Sequence, residues 1–142
     1  MLFRSDFPWF TQEGGVADSY DNDTDRYFIH AFYVNNRPNS SFFELLAPIL
    51  SRLELKALIR AKANLYPRNE LLIEQGRHYD YPFPHKGFIL YINSNNGFTR
   101  LNDGKIVESI ANRALFFDGS SEHNSTNCTD QQCRINISIN YF

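Results

Sequence analysis

Four residues in the second half of this 142-residue chain, His78, Asp80, His123 and Arg134, are of the types that could build one redox centre. His78 and Asp80 flank Tyr79 in Gly76-Arg77-His78-Tyr79-Asp80, and His123 follows Asp118-Gly119-Ser120-Ser121-Glu122. Arg134 heads the closing stretch Arg134-Ile135-Asn136-Ile137-Ser138-Ile139-Asn140-Tyr141-Phe142. Two imidazoles and one carboxylate can occupy one face of an iron octahedron and leave three positions open, the arrangement of non-haem Fe(II) oxygenases. A fixed cation beyond the second histidine can hold the far carboxylate of a dicarboxylate co-substrate.

The elements needed to position these groups are strands. His78 and Asp80 are two apart, so on an extended chain both point to one face and Tyr79 points away. In the closing stretch Arg134, Asn136, Ser138 and Asn140 share one face, and Ile135, Ile137, Ile139 and Tyr141 share the other. A solvated polar face is the ordinary reading of such a strand. In a barrel covered by a helix, the apolar face instead packs outward and the polar face lines a cavity. A helix is available over Ser41 to Leu53: Ser41 and Glu44 form a capping-box pattern, and Phe42, Leu45, Leu46, Ile49, Leu50 and Leu53 follow at helical spacing. Pro48 should kink it or leave one carbonyl unpaired.

The chain divides into three zones. Residues 1–40 are an aromatic and acidic segment ending in a strand at Tyr27 to Val34, residues 41–54 are the supporting helix, and residues 55–142 are the barrel core. Within the last zone, strands are expected at Ala57–Tyr66, Gly87–Asn93, Phe98–Leu101, Ile106–Ile110, Ala114–Phe117 and Arg134–Tyr141, with turn signals between them. The fold class is mainly β, a sandwich or barrel with one or two packing helices. Thirteen Phe, eight Tyr and one Trp agree with a strand-rich chain. Asp18, Asp21, Asp23 and Asp25 lack the Gly and closing Glu of a calcium loop and read as a solvated loop.

A formal charge of −2 and the lack of a Lys/Arg run count against a nucleic-acid partner. No segment has the length of a membrane span, and the start, Met1-Leu2-Phe3-Arg4-Ser5-Asp6, has no apolar leader, so a cytoplasmic protein is expected. Cys128 and Cys133 read as free thiols beside a turn. His30 reads as a structural histidine, and His85, following two prolines, as a loop residue.

From His78 onward the order of motifs resembles the double-stranded β-helix (jelly-roll, cupin-like barrel) of 2-oxoglutarate/Fe(II)-dependent dioxygenases, and more narrowly the prolyl-4-hydroxylase-like branch. The shared pattern is His-x-Asp, a strand ending Tyr91-Ile92-Asn93, then Gly97-Phe98-Thr99, then Asn112-Arg113-Ala114-Leu115-Phe116-Phe117, a distal His and a final Arg. Phe7-Pro8-Trp9-Phe10, Lys62-Ala63-Asn64-Leu65-Tyr66-Pro67-Arg68 and Cys128-Thr129-Asp130 are similar to segments of small oxygenases encoded by marine bacteriophages. The resemblance spans nearly the whole chain as a single domain, 1–142.

The resemblance implies that His78, Asp80 and His123 bind Fe(II) and that Arg134 grips the distal carboxylate of 2-oxoglutarate, helped by Tyr91. It places Tyr66 near the co-substrate and Thr99 in the cavity wall. The implied chemistry is oxidative decarboxylation of 2-oxoglutarate to succinate and CO2, with O2 consumed, a substrate hydroxylated and ascorbate supportive. A peptidyl proline is the first expectation for that substrate, with a small molecule as the other; recognition would fall to the Asp80–Lys86 loop and the N-terminal zone. Tyr91 can equally be a core aromatic with a satisfied hydroxyl, and Tyr66 reads as core before ligand. Two rivals stay open: a cupin-type metal-binding protein or isomerase, and a non-catalytic binding module on the same barrel. Cupin sites commonly use His-x-His, and halogenases replace the carboxylate ligand with a small residue, so Asp80 favours the oxygenase.

Overall fold

In a computed structural model of the chain, residues 6–12 and 27–142 are described. The acidic run Asp18 to Asp25 lies outside them. Among the described residues there are ten strands: β1 (Phe10–Gln12), β2 (Tyr27–Val34), β3 (Arg37–Pro38), β4 (Leu58–Pro67), β5 (Lys86–Tyr91), β6 (Phe98–Leu101), β7 (Ile106–Glu108), β8 (Ala114–Asp118), β9 (His123–Ser125) and β10 (Cys133–Tyr141). The large sheet runs β1-β2-β4-β10-β5-β8, with β3 paired to β2, and the small sheet runs β7-β6-β9. All these pairings are antiparallel.

β10 sits between β4 and β5, so its period-two pattern sets the chemistry of both faces. Ile135, Ile137, Ile139 and Tyr141 join Ala61 and Ala63 of β4 and Phe88 of β5 in the main core. Leu46 and Leu53, with Phe42, Phe43, Ile49 and Leu50 against them, cover that layer from the outside. Each fully buried Ile contributes about 1.5–3 kcal/mol, which binds the register of β10 to the cover: a one-residue slip would send the isoleucines into the cavity. Between the sheets Ile89, Tyr91 and Leu115 form a smaller apolar cluster with Leu101, Val107 and Phe117.

The cover is not the single helix expected from Ser41 to Leu53. It is a 3-10 helix, Ser41–Leu46, followed by one turn of α-helix, α1 (Ala47–Leu50). Its cap is Ser40, whose Oγ accepts from Phe42 N at 3.0 Å, rather than the Ser41/Glu44 box. Pro48 explains the break. It stands in the first turn of α1, where a missing N–H costs nothing, and helical spacing through it conceals two short pieces. Asn35 and Asn36, both with positive φ (53° and 59°), turn β2 into β3 in the primed geometry that hairpin twist prefers.

Candidate metal and co-substrate site

His78 and Asp80 are not on one of the ten strands. They lie on a segment pinned alongside β9 by single bridges, Glu74 to Thr126 and His78 to His123. His78 N donates to His123 O at 2.9 Å and His123 N to His78 O at 2.8 Å, which sets the two imidazoles side by side with centroids 4.5 Å apart. Asp80 N donates to Gly119 O at 3.0 Å, so the following residue pair is held as well. One ligand atom from each of His78, Asp80 and His123 lies within 4.8 Å of the others.

Tautomers and charge suit a cation. His123 Nδ1 is 3.0 Å from Ser121 O and His78 Nδ1 is 3.4 Å from Gly76 O. A carbonyl only accepts, so in each neutral ring Nδ1 carries the proton and Nε2 offers its lone pair. Burial, helped by neighbouring His123, pushes His78 down to about 4, so it is neutral at ordinary pH. Burial opposes ionisation of Asp80, but Arg60, the hydrogen bond from Asn140 and the two histidines outweigh it and hold the carboxyl below its usual range. Arg60 Nη2 donates to Asp80 Oδ1 at 2.6 Å and Asn140 Nδ2 to Oδ2 at 2.8 Å.

Neither Arg60 nor the role of Asn140 was visible from sequence motifs, yet both fix the carboxylate. His85 completes this support. Its Nδ1 faces Phe83 O at 2.8 Å, so its Nε2 is free to accept from Asn140 Nδ2 at 3.2 Å. His85 stands in the loop before β5, as expected, and is buried there as a bracing residue. His30 is structural as expected, between Pro8 O and Ser40 Oγ, each 2.8 Å away. Cys128 and Cys133 are free thiols.

The triad opens into a cavity of about 180 Å³ between the sheets. The polar face of β10 lines it through Asn136 and Ser138, and β4 adds a second polar row that its sequence also encodes, Arg60, Lys62, Asn64 and Tyr66 alternating with Ala61, Ala63 and Leu65. In register these pair as Arg60–Asn140, Lys62–Ser138, Asn64–Asn136 and Tyr66–Arg134. Arg134 lies at the end opposite Asp80, fully buried, and differs from the expected open grip. It sits behind the wall rather than on it. Its Nε donates to Ser109 Oγ (2.6 Å), Nη1 to Ser125 Oγ (2.5 Å) and Thr126 O (3.1 Å), and Nη2 to Thr99 Oγ1 (3.2 Å).

Tyr91, also fully buried, donates its hydroxyl to Thr99 Oγ1 at 2.8 Å and does not reach the cavity either. Thr99, which does line the cavity, thus accepts from both Tyr91 and Arg134, leaving its own O–H to donate. Tyr66 lines the cavity too, stacked on Tyr27 with centroids 5.0 Å apart and with the Arg134 guanidinium 5.2 Å from its ring. Burial raises the hydroxyl pKa of both Tyr66 and Tyr91.

Two features say that the residues fit a divalent cation and an anionic co-substrate. The triad supplies two imidazole nitrogens and an ionised oxygen, a donor set that iron(II) accepts. Buried Arg134 has no carboxylate partner among the described residues, only neutral hydroxyls and a carbonyl. A buried guanidinium without a counter-ion is costly, and a carboxylate against Thr99, Ser125 and Tyr66 would compensate it.

No family model matches the chain, and no curated protein matches it in sequence. Its fold does match solved structures. An oxidoreductase of the 2OG-Fe(II) oxygenase family from Burkholderia pseudomallei superposes with a TM-score of 0.64 at 12% identity, over 92% of this chain and 72% of that one. A prolyl hydroxylase from Trichoplax adhaerens, in complex with a hypoxia inducible factor oxygen degradation domain peptide fragment, gives 0.59 at 18% identity, over 93% and 70%. An RmlC-like cupin from Desulfovibrio desulfuricans gives 0.54 at 8% identity, over 92% and 95%. The chain therefore has the jelly-roll barrel that oxygenases and cupins share, with a His-Asp-His cluster inside it.

Proposed function

We propose that this protein is an Fe(II)- and 2-oxoglutarate-dependent dioxygenase that hydroxylates a substrate while 2-oxoglutarate becomes succinate and CO2. The observation that carries the reading is one cavity with the His78/Asp80/His123 cluster at one end and, behind its wall at the other, a buried guanidinium that lacks a counter-ion among the described residues. His78, Asp80 and His123 would hold the metal, which supplies O2 activation when bound.

The protein's own groups set the geometry. Arg60 and Asn140 keep Asp80 ionised and oriented, and the Ser121 and Gly76 carbonyls aim the imidazoles. Arg134 polarises the Thr99 and Ser125 hydroxyls toward a distal carboxylate, while Tyr91 fixes Thr99. The likeness to the Trichoplax adhaerens prolyl hydroxylase, which is bound to a peptide, supports a peptidyl proline as a candidate substrate. No helix among the described residues is long and apolar enough to cross a membrane.

The test needs no substrate. Purified apoprotein is mixed anaerobically with Fe(II) and 2-oxoglutarate, and the visible metal-to-ligand charge-transfer band is recorded. We expect a band that requires both components and vanishes in His123→Ala. Fe(II) binding by folded protein without a band would transfer the chain to the cupin-like or non-catalytic readings.

A further inference from the structure

One cation in the cavity has no part in that scheme. Lys62 follows Arg60 on the inward face of β4, opposite Ser138 and one row from the Arg60–Asn140 pair that grips Asp80. Its side chain runs into the cavity and is half-buried there. Among the described residues its ammonium makes no hydrogen bond and no ion pair; the face of Tyr27, 5.8 Å away at the ring centroid, is its sole close partner. An ammonium drawn partly out of water without a counter-ion is costly. It is explained where a ligand completes it.

The co-substrate does not meet that need. Lys62 is two rows along the strand from Tyr66–Arg134, where the distal carboxylate would lie, about 14 Å at the rise of an antiparallel strand. The charges around the site lead to the same place. Asp80 is the one carboxylate among the described residues that line the cavity, while Arg60 and Lys62 line it and Arg134 stands directly behind it. Let a divalent iron and doubly charged 2-oxoglutarate enter. Asp80 and one co-substrate carboxylate offset the metal, and the other carboxylate offsets Arg134. Arg60 and Lys62 are left over, and Arg60 is already directed at Asp80.

We propose that Lys62 binds a carboxylate on the hydroxylated substrate, so that the substrate is an organic acid, as a free small molecule or at a chain terminus, and Lys62 selects it. This rests on the oxygenase reading and narrows its substrate class. An internal peptidyl proline in a neutral segment would cover the ammonium without giving it a counter-ion.

Matched acids and amides test it: N-acetyl-L-proline and N-acetyl-L-prolinamide, N-acetyl-L-leucine and its amide, and hippurate and hippuramide. Each is titrated anaerobically into protein loaded with Fe(II) and 2-oxoglutarate, and read as a shift in the charge-transfer band. We expect at least one acid to bind tenfold or more tightly than its amide. Lys62→Gln should abolish that preference while keeping the band, and Lys62→Arg should retain it. Amides binding as tightly as acids, no acid binding, or an unaltered preference in Lys62→Gln overturns the proposal. If Lys62→Gln does not fold, the comparison of acid with amide in the native protein decides alone. Absence of the band before any probe is added defeats the oxygenase reading instead, so the two failures are distinct.

Discussion

At the scale of single residues, the candidate site depends on groups outside the His78/Asp80/His123 cluster. Asn140 Nδ2 is shared between Asp80 Oδ2 and His85 Nε2, so one amide orients the carboxylate and is itself held by an imidazole. Removing such a partner typically costs 10–100-fold in metal affinity. Asn140→Ala should therefore weaken Co(II) binding by about that factor in a titration, with the circular dichroism spectrum unchanged. Unaltered affinity would reduce Asn140 to a packing residue. Arg134 acts at the other end. Because Arg134 backs the Thr99 and Ser125 hydroxyls that would face the distal carboxylate, Arg134→Ala should weaken 2-oxoglutarate binding, by roughly 1.5–3 kcal/mol if that charge assistance is lost. Equal 2-oxoglutarate affinity in the variant and native protein would mean that Arg134 only braces Ser109, Ser125 and Thr99.

At the scale of elements, the approach of loop to strand leaves no spare room. Gly97 precedes β6 at a point where an added Cβ would run into the Asn127 carbonyl and lie 2.6 Å from Arg134 Cδ. Arg134 cannot yield, since four of its N–H···O contacts are made. Gly97→Ala should cost about 1–3 kcal/mol of stability as an overpacking change. Because the strain falls on Arg134, 2-oxoglutarate affinity should drop more than Co(II) affinity. A uniform loss of both, or of neither, would separate Gly97 from the anion end. This packing also shows which parts of the site could be read in advance. His78, Asp80 and the alternation of β10 were legible because a period of two speaks for itself over a few residues. Arg60 and Lys62 carry the same period, but with alanines as the apolar partners the run reads as an undistinguished strand. The His85–Asn140 contact joins residues 55 apart and has no local signature. The cover over residues 41–50 misled in the opposite direction, because apolar spacing persists through Pro48 although the backbone changes helix type there.

At the scale of the whole molecule, like charges gathered in one cavity cost stability, and Lys62 makes that cost measurable. Burial and the charge of Arg60 lower its pKa from 10.5 to about 8, against a pull upward from Asp80. Below about 8 both the folded and unfolded chains hold the proton, and the folded apoprotein bears the full penalty of an unpaired ammonium. Between about 8 and the ordinary lysine value the folded protein has released a proton that the unfolded chain still binds, so this group makes stability rise with pH. Burial raises the pKa of Cys128, Cys133 and Tyr27, and these groups act in the opposite direction. The informative quantity is therefore the stability difference between native protein and Lys62→Met, in which their contributions cancel. Urea unfolding of both apoproteins at pH 7.5 and 9.5 should show Lys62→Met more stable at the lower pH, with its advantage shrinking by about 1–2 kcal/mol at the higher. An advantage that does not change with pH would mean that Lys62 is already solvated or paired in the apoprotein, and the excess positive charge of the cavity would then have another remedy than a substrate acid.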